Sequence, residues 1–179
     1  MAKNERLRIY TPAGKPTRSF KPRGEVHRDG DWHGTVHLWV MNSSNELLFQ
    51  QRSASAELHP GLWDVSAAGH MVGEDSLIQT LKREAFEELG ITISTAATKP
   101  LFTLKTELHT MGLHECVFQH IYLLHKDIAD DELCLQAAEV AAIAWHHYSL
   151  LERLANDAPG FVPRYNEYAE LYKIISQLQ

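Results

Sequence analysis

The sequence of residues 69–91 is GHMVGEDSLIQTLKREAFEELGI, and this stretch carries the clearest structural signal in the chain. Apolar side chains recur in it at the 3.6-residue spacing of one helix face: Leu77, Ile78, Leu81, Ala85 and Leu89. This spacing predicts a helix over residues 76–89. Gly90 follows at the position where a glycine commonly ends a helix in the left-handed conformation.

Three acidic side chains lie close together on this predicted helix. Glu84, Glu87 and Glu88 are spaced i, i+3 and i+4, so they share one face. Their mutual repulsion, and the negative end of the helix dipole nearby, call for a compensating cation. One interpretation is a solvated acidic face in which Arg83 pairs with Glu87. The other is a site for a hard divalent cation, because such ions prefer carboxylate oxygens.

The residues around these carboxylates favour the cation site. Five residues separate Gly69 from Asp75, seven separate Asp75 from Arg83, and the stretch ends in Gly-Ile at 90–91. This pattern resembles the Nudix box, G-x5-E-x7-R-E-U-x-E-E-x-G-U with U apolar. The sequence departs from the box only at Asp75, where the family has glutamate. Aspartate keeps the charge on a shorter side chain, and the neighbouring Glu74 is a candidate to take its place.

The resemblance implies a fold and an activity. Nudix proteins are α/β/α sandwiches around a mixed β-sheet, so the implied fold class is α/β. In MutT-like members the box binds the Mg²⁺ or Mn²⁺ with which the enzyme hydrolyses a nucleotide or other organic diphosphate, through attack of metal-activated water. The implied metal ligands are Glu84, Glu87, Glu88 and the backbone carbonyl of Ala68. One of the glutamates would accept the proton of the water, and Arg83 would hold the carboxylates in place.

A second set of landmarks lies between residues 27 and 70: His27, His33, Gln51-Arg52, Pro60-Gly61-Leu62-Trp63-Asp64 and Ala68-Gly69-His70. These positions resemble those of the Nudix branch that contains isopentenyl-diphosphate isomerase. The isomerase has a cysteine, which transfers protons to the alkene, where this chain has Ala68. It binds a metal through three histidines and two glutamates. In this chain His27, His33, His70 and Glu115 match four of those ligands, and Val117 stands in place of the fifth.

These departures favour a hydrolase, because the isomerase commonly has a degraded box whereas this chain keeps every charged pair. The alternatives are the isomerase itself and a non-catalytic Nudix sensor domain. The three histidines either form a transition-metal site or are ordinary residues of loops and arm. Arg52 is the first candidate to contact the substrate diphosphate and Arg23 the second, although either could be a plain surface arginine.

The rest of the chain predicts one domain of 179 residues. Residues 1–34 are expected to form a strand over 7–10 and a turn-rich arm packed on the core, and residues 35–179 the Nudix domain. A hairpin is predicted over 35–51, with further strands over 63–69, 101–108, 116–124 and 140–146. Helices are predicted from Ser149, with a capping box to Glu152, and after Pro163, with a tyrosine-rich core face.

Composition limits the partners. The formal net charge is −6, with 17 basic against 23 acidic side chains, which gives no general attraction for nucleic acid or an anionic membrane. Cys116 and Cys134 are expected to be reduced thiols. The first residues lack the apolar core of a signal peptide. We therefore expect a cytoplasmic protein that acts on a small-molecule diphosphate, without nucleic-acid or membrane partners, and leave a homodimer open.

Overall fold

The computed structural model describes residues 5–110 and 113–178. The strands are β1 (Arg6–Tyr10), β2 (Pro16–Pro22), β3 (Trp32–Met41), β4 (Glu46–Arg52), β5 (Trp63–Asp64), β6 (Ala67–His70), β7 (Thr98–Thr110), β8 (Leu113–His125) and β9 (Val140–His147). The helices are α1 (Arg23–Asp29), α2 (Leu77–Leu89), α3 (Leu150–Leu154) and α4 (Tyr165–Ser176).

The larger sheet is mixed, as predicted. Its central strands run in the order β5-β4-β3-β8-β7, with β6 paired to β3 and β9 paired to β4. Strand β3 is parallel to β8, whereas β7 and β8 are antiparallel. The predicted hairpin of β3 and β4 is confirmed at its turn, where Met41 pairs with Leu47. Beyond the turn the two strands separate, because β3 pairs with β6 and β4 pairs with β9.

Helices cover both faces of this sheet and complete the predicted α/β/α sandwich. On one face Leu81, Ala85 and Leu89 of α2 share a buried apolar cluster with β3. On the other face Tyr168, Leu171 and Ile175 of α4 share a cluster with Trp39 and Phe49. The tyrosine-rich face is therefore a core face at its centre, although Tyr165 and Leu178 at its ends are exposed.

The N-terminal segment is more regular than the turn-rich arm that we expected. Strands β1 and β2 form an antiparallel sheet, and helix α1 follows β2 directly. The first strand is anchored to the body, since Leu7 is fully buried and bridges to Val72. Helix α1 is not predicted from the sequence, because it has only seven residues and no side-chain cap. Packing of Val26 and His27 holds it in place.

The predicted end of α2 is confirmed, whereas the predicted cap of α3 is wrong. Gly90 ends α2 in the left-handed conformation, as predicted. Ser76 caps the start of that helix in a reciprocal box with Gln79, which was not predicted. The capping box predicted from Ser149 to Glu152 is wrong, although α3 does begin next to Ser149. Ser149 already has helical backbone angles, and its hydroxyl pairs with His147 Nδ1 at 2.9 Å. An N-cap residue needs extended backbone angles to reach back to the helix amides.

No helix within residues 5–110 and 113–178 is long and apolar enough to cross a membrane.

Candidate active site and metal centres

Arg83 connects the parts of the box. Its Nη1 lies 2.7 Å from Glu84 Oε1 and 3.3 Å from Glu87 Oε2. Its Nη2 donates a hydrogen bond to the backbone carbonyl of His70 at 2.9 Å. Since Arg83 is on α2 and His70 ends β6, one guanidinium fixes the helix of carboxylates against the sheet.

The loop before α2 supplies the carboxylate at the position where the sequence departs from the box. Asp75 Oδ2 lies 3.6 Å from Arg83 Nε, so the shorter side chain still reaches the arginine. Glu74 does not take its place: its side chain is 87% exposed and lies 3.7 Å from Arg8. The alternative role for Glu74 is therefore wrong in this structure, because its side chain leaves the loop on the side of Arg8.

Glu88 is the most enclosed of the box carboxylates. Its residue is 6% exposed, and its Oε2 accepts hydrogen bonds from Gln50 Nε2 and from the Ala68 amide, both at 3.0 Å. Both donors are neutral. Burial, together with the nearby charge of Glu84, raises the pKa of Glu88 well above its ordinary value.

Glu84 lies against the first glycine of the box. A Cβ at Gly69 would overlap the Glu84 carboxylate, so only glycine leaves room for it. Glu84 is 7% exposed, and burial raises its pKa to about 8 despite the opposing charge of Arg83. This close approach explains why a glycine begins the box.

Glu87 differs from these two in exposure. Its side chain is 50% exposed and contacts Arg83. Within the described residues, the carboxylate oxygens of Glu84, Glu87 and Glu88 do not all lie within 4.8 Å of one another. The structure thus puts Glu84 and Glu87 beside Arg83, and Glu88 beside the backbone of Ala68.

The three histidines of the isomerase resemblance do come together. Ligand atoms of His27, His33, His70 and Glu115 all lie within 4.8 Å of one another, and the Nε2 atoms of His27 and His70 are 3.3 Å apart. His33 Nδ1 lies 3.0 Å from the carbonyl of Asp31, which can only accept, so this nitrogen carries the proton. The opposite nitrogen, Nε2, is buried and has no hydrogen-bond partner within the described residues.

The electrostatics of this histidine cluster suit a metal. Burial lowers the pKa of His33 to about 4 and also lowers the pKa values of His27 and His70. Neutral imidazole is the form in which histidine binds metals. Val117 pairs with His33 across β3 and β8, so the apolar residue lies where the resemblance puts a fifth ligand.

The two arginines predicted to contact substrate have different surroundings. Arg52 is held by the carbonyl of Leu58 at 2.9 Å and by Asp64 at 3.3 Å. Arg23 lies 3.7 Å from Glu5 and from Glu57, and its charge helps to lower the pKa of His70. Arg23 is therefore beside the histidine cluster, whereas Arg52 belongs to a separate buried ion-pair group.

That buried group includes two residues of the C-terminal part that the sequence analysis missed. Arg164 makes two hydrogen bonds to Asp64. Although burial alone would raise the pKa of Asp64, the charges of Arg164 and Arg52 hold it well below its ordinary value. Glu167 accepts hydrogen bonds from His37 at 2.8 Å and Trp39 at 2.9 Å. The sequence signal that could have identified Glu167 is its position directly before Tyr168, on a helix with a predicted core face.

Comparison with known proteins supports the family resemblance. The family profile described as NUDIX domain matches residues 31–165. Nudix hydrolase 3 of Arabidopsis thaliana is 35% identical over 97% of this chain, which spans 23% of the length of that protein. A Nudix hydrolase of Listeria innocua is 32% identical over 87% of this chain and 88% of its own. An isopentenyl-diphosphate Delta-isomerase of Pectobacterium atrosepticum is 30% identical over 72% of this chain and 68% of its own.

Solved structures share the fold. A Deinococcus radiodurans protein superposes with a TM-score of 0.73 at 22% identity, over 92% of this chain and 98% of its own. The NUDIX domain of Shewanella oneidensis NrtR, in complex with ADP ribose, gives a TM-score of 0.60 at 16% identity, over 79% of this chain and 87% of its own. At such identities the likeness shows the fold alone.

Proposed function

The chain belongs to the NUDIX family, and on this premise we propose that it is a divalent-metal-dependent hydrolase that cleaves a diphosphate linkage in a small organic molecule. The observation that carries the proposal is the placement of Arg83 between Glu84, Glu87 and the end of β6. The charged pairs of the box are all present, and Arg83 holds two of its carboxylates on one side of α2.

The surroundings of the box glutamates fit a hard cation. Glu84 and Glu88 are buried carboxylates, and the hydrogen-bond donors to Glu88 are neutral. An Mg²⁺ or Mn²⁺ ion would supply the missing positive charge, because such ions take carboxylate and carbonyl oxygens. The Ala68 amide points at Glu88, and in an extended strand the carbonyl of a residue lies on the same edge as its amide. This orientation supports Ala68 as the backbone ligand beside Glu84, Glu87 and Glu88.

Different residues of the chain then have different roles in hydrolysis. When bound, a divalent ion offsets charge that develops on the phosphate oxygens and lowers the pKa of its water. Arg83 keeps the box carboxylates oriented toward β6, and one of the three glutamates accepts the proton of the attacking water. Glu87 is the one that solvent reaches most freely.

Between the two arginines assigned to the substrate, the geometry favours Arg23. Its ion pairs are both 3.7 Å long, and it lies next to the histidine cluster. Arg52 is held by shorter contacts, to the Leu58 carbonyl at 2.9 Å and to Asp64 at 3.3 Å. We assign the first contact with the diphosphate to Arg23 and a supporting one to Arg52.

A second candidate function, isomerisation of isopentenyl diphosphate, is favoured by the histidine cluster. Its four ligand atoms lie within 4.8 Å of one another, and His33 Nε2 has no hydrogen-bond partner among residues 5–110 and 113–178. This arrangement fits a transition metal, and we propose that the chain keeps this site. The reaction itself is disfavoured, because Ala68 carries no thiol and Val117 is apolar. A non-catalytic sensor role is disfavoured by the complete set of box charges.

The test is a panel of compounds with Mg²⁺ or Mn²⁺: ADP ribose, dinucleoside polyphosphates, nucleotide sugars, nucleoside triphosphates, prenyl diphosphates and thiamine-type diphosphates. Separation of phosphate, diphosphate and organic monophosphate products identifies the bond that is cleaved. We expect metal-dependent hydrolysis of at least one class. Failure to hydrolyse any of them, with either metal, would contradict the proposal.

A further inference from the structure

A second group of metal-ligating side chains lies on the β7–β8 hairpin, outside the Nudix box and the histidine cluster. Glu107 pairs with Cys116 across the two strands, and His109 pairs with His114. Residues two apart in a strand, and residues directly opposite in the neighbouring strand, share one face of a sheet. All four side chains therefore lie on the same face of the hairpin.

The polar atoms of these side chains approach one another around His114. Glu107 Oε1 is 3.1 Å from His114 Nε2 and 3.8 Å from His109 Nε2. Cys116 Sγ is 3.3 Å from the same His114 Nε2. A tetrahedral Zn²⁺ with its usual bond lengths keeps neighbouring ligand atoms about 3.3–3.8 Å apart. Ligand atoms of Glu107, His109 and His114 all lie within 4.8 Å of one another, whereas Cys116 reaches this group through His114. The exposed side chains of Glu107 and His109 would turn toward the thiol for all four to bind one ion.

The surroundings hold two of these side chains in position. A Cβ at Gly30 would overlap the His114 ring, so the glycine after α1 makes room for this imidazole. Cys116 is buried on β8, where it pairs with Trp32 of β3. His114 and His109 stack with ring centroids 3.8 Å apart. The larger sheet thus fixes the position of Cys116, at one end of the group.

We propose that Glu107, His109, His114 and Cys116 bind a borderline divalent ion, of which Zn²⁺ matches this ligand set best. Four protein ligands leave no open position, which is typical of a structural site. The ion would join β7 to β8. This site is distinct from the histidine cluster, because Glu115 alternates with His114 and Cys116 along β8 and faces the opposite side.

Cobalt provides the test, because a thiolate ligand gives Co²⁺ a charge-transfer absorption that carboxylate and imidazole ligands do not. The full chain, reduced and freed of metal, is titrated with Co²⁺ alone and then with Zn²⁺ as competitor. We expect the thiolate band to saturate as Co²⁺ is added and to disappear as Zn²⁺ displaces Co²⁺. The histidine cluster and the Nudix box have no thiol ligand, so any Co²⁺ that they bind does not contribute to this band. Cys116→Ser should abolish it, and His109→Ala, at an exposed position, should weaken Co²⁺ binding at least about tenfold.

Two variants serve as controls. Cys134→Ser removes the other thiol, and Glu87→Gln changes the Nudix box; both should keep the band. Absence of the band, its survival in Cys116→Ser, or its loss in Cys134→Ser would each overturn the proposed site. Because the readout is absorbance rather than turnover, these outcomes are independent of the hydrolase proposal.

Discussion

Arg83 Nη2 donates a hydrogen bond to the backbone carbonyl of His70 at 2.9 Å, which ties the helix of box carboxylates to the strand that ends in the histidine cluster. The same guanidinium contacts Glu84 and Glu87. The two candidate metal sites are thus connected through one side chain.

The first prediction concerns this connection. Arg83→Lys keeps the charge but loses the forked guanidinium that reaches both carboxylates and the carbonyl together. We expect kcat to fall about 10–100-fold with the fold retained, as for other residues that orient metal ligands. Steady-state kinetics and circular dichroism measure this, with Lys82→Gln as a control on the same helix. Equal kcat in Arg83→Lys and the unmodified protein would refute it.

The second prediction compares variants of two adjacent carboxylates in the loop before α2. Asp75 pairs with Arg83, whereas Glu74 is exposed beside Arg8. Because a partly exposed pair contributes no more than about 1 kcal/mol, Asp75→Ala should lower kcat/KM by about fivefold or less. Glu74→Ala should leave kcat/KM unchanged. The reverse order of effects would show that Glu74 fills the box position.

The third prediction is a pH dependence of stability in the metal-free protein. The pKa of Glu84 in the folded state is raised to about 8, from an ordinary value of 4.5. The native state therefore binds its proton more tightly than the unfolded chain does. The resulting stability is fully present below the ordinary pKa and is lost as the pH rises toward 8. Glu88 acts in the same direction.

Urea denaturation in EDTA, from pH 6.5 to 8, measures this loss. The cluster histidines, whose pKa values are lowered, add a slope of opposite sign near their ordinary pKa of 6.5, and this slope is common to the unmodified protein and Glu84→Gln. The free energy of unfolding should fall as the pH rises, and it should fall less steeply in Glu84→Gln. An identical slope in the two proteins would show that Glu84 is not the group responsible.

A fourth prediction concerns the buried ion-pair group. Arg164→Ala leaves the enclosed Asp64 with the longer contact to Arg52 and the hydrogen bond from the neutral Val65 amide. Loss of one partner from a buried pair costs about 3–5 kcal/mol, so the free energy of unfolding should drop by that order. Arg153→Ala, on the exposed side of α3, is the control. Equal unfolding midpoints for the two variants would mean that Asp64 does not depend on Arg164.

The fifth prediction separates the two enzyme functions. In heavy water with Mg²⁺ or Mn²⁺, the protein should neither isomerise isopentenyl diphosphate nor exchange its carbon-bound protons. Allylic isomerisation needs a group that protonates the alkene, and the methyl of Ala68 carries no such proton. Ala68→Cys should still be inactive, because Val117 leaves the metal site one carboxylate short. Dimethylallyl diphosphate or deuterium incorporation above a Glu84→Gln background would favour the isomerase.

The sequence predicted best where its signals are local. Helix α2 and its glycine end both follow from spacing within residues 69–91. The short α1 was missed, because its stability comes from burial of Val26 and His27 rather than from its own sequence. The capping box at Ser149 failed because His147 competes for the hydroxyl.

The parts of the site that could not be predicted from the sequence depend on contacts between residues that are far apart in the chain. Asp64 and Arg164 are 100 positions apart, so their pairing depends on how α4 packs on the sheet. The hairpin group of Glu107, His109, His114 and Cys116 depends on the register of β7 and β8, which spacing alone does not specify. Only the resemblance to the isomerase branch predicts the histidine cluster.

The central claim is that the box carboxylates carry metal-dependent hydrolysis, and Glu88→Gln tests it most directly. Glutamine keeps an oxygen that accepts from Gln50 and Ala68 but removes the charge. With the best substrate of the panel and Mg²⁺, kcat should fall at least about 100-fold. The metal-free variant should be as stable as the unmodified protein or more so, and Glu170→Gln, on the exposed side of α4, should be fully active. Retention of activity by Glu88→Gln would contradict the account.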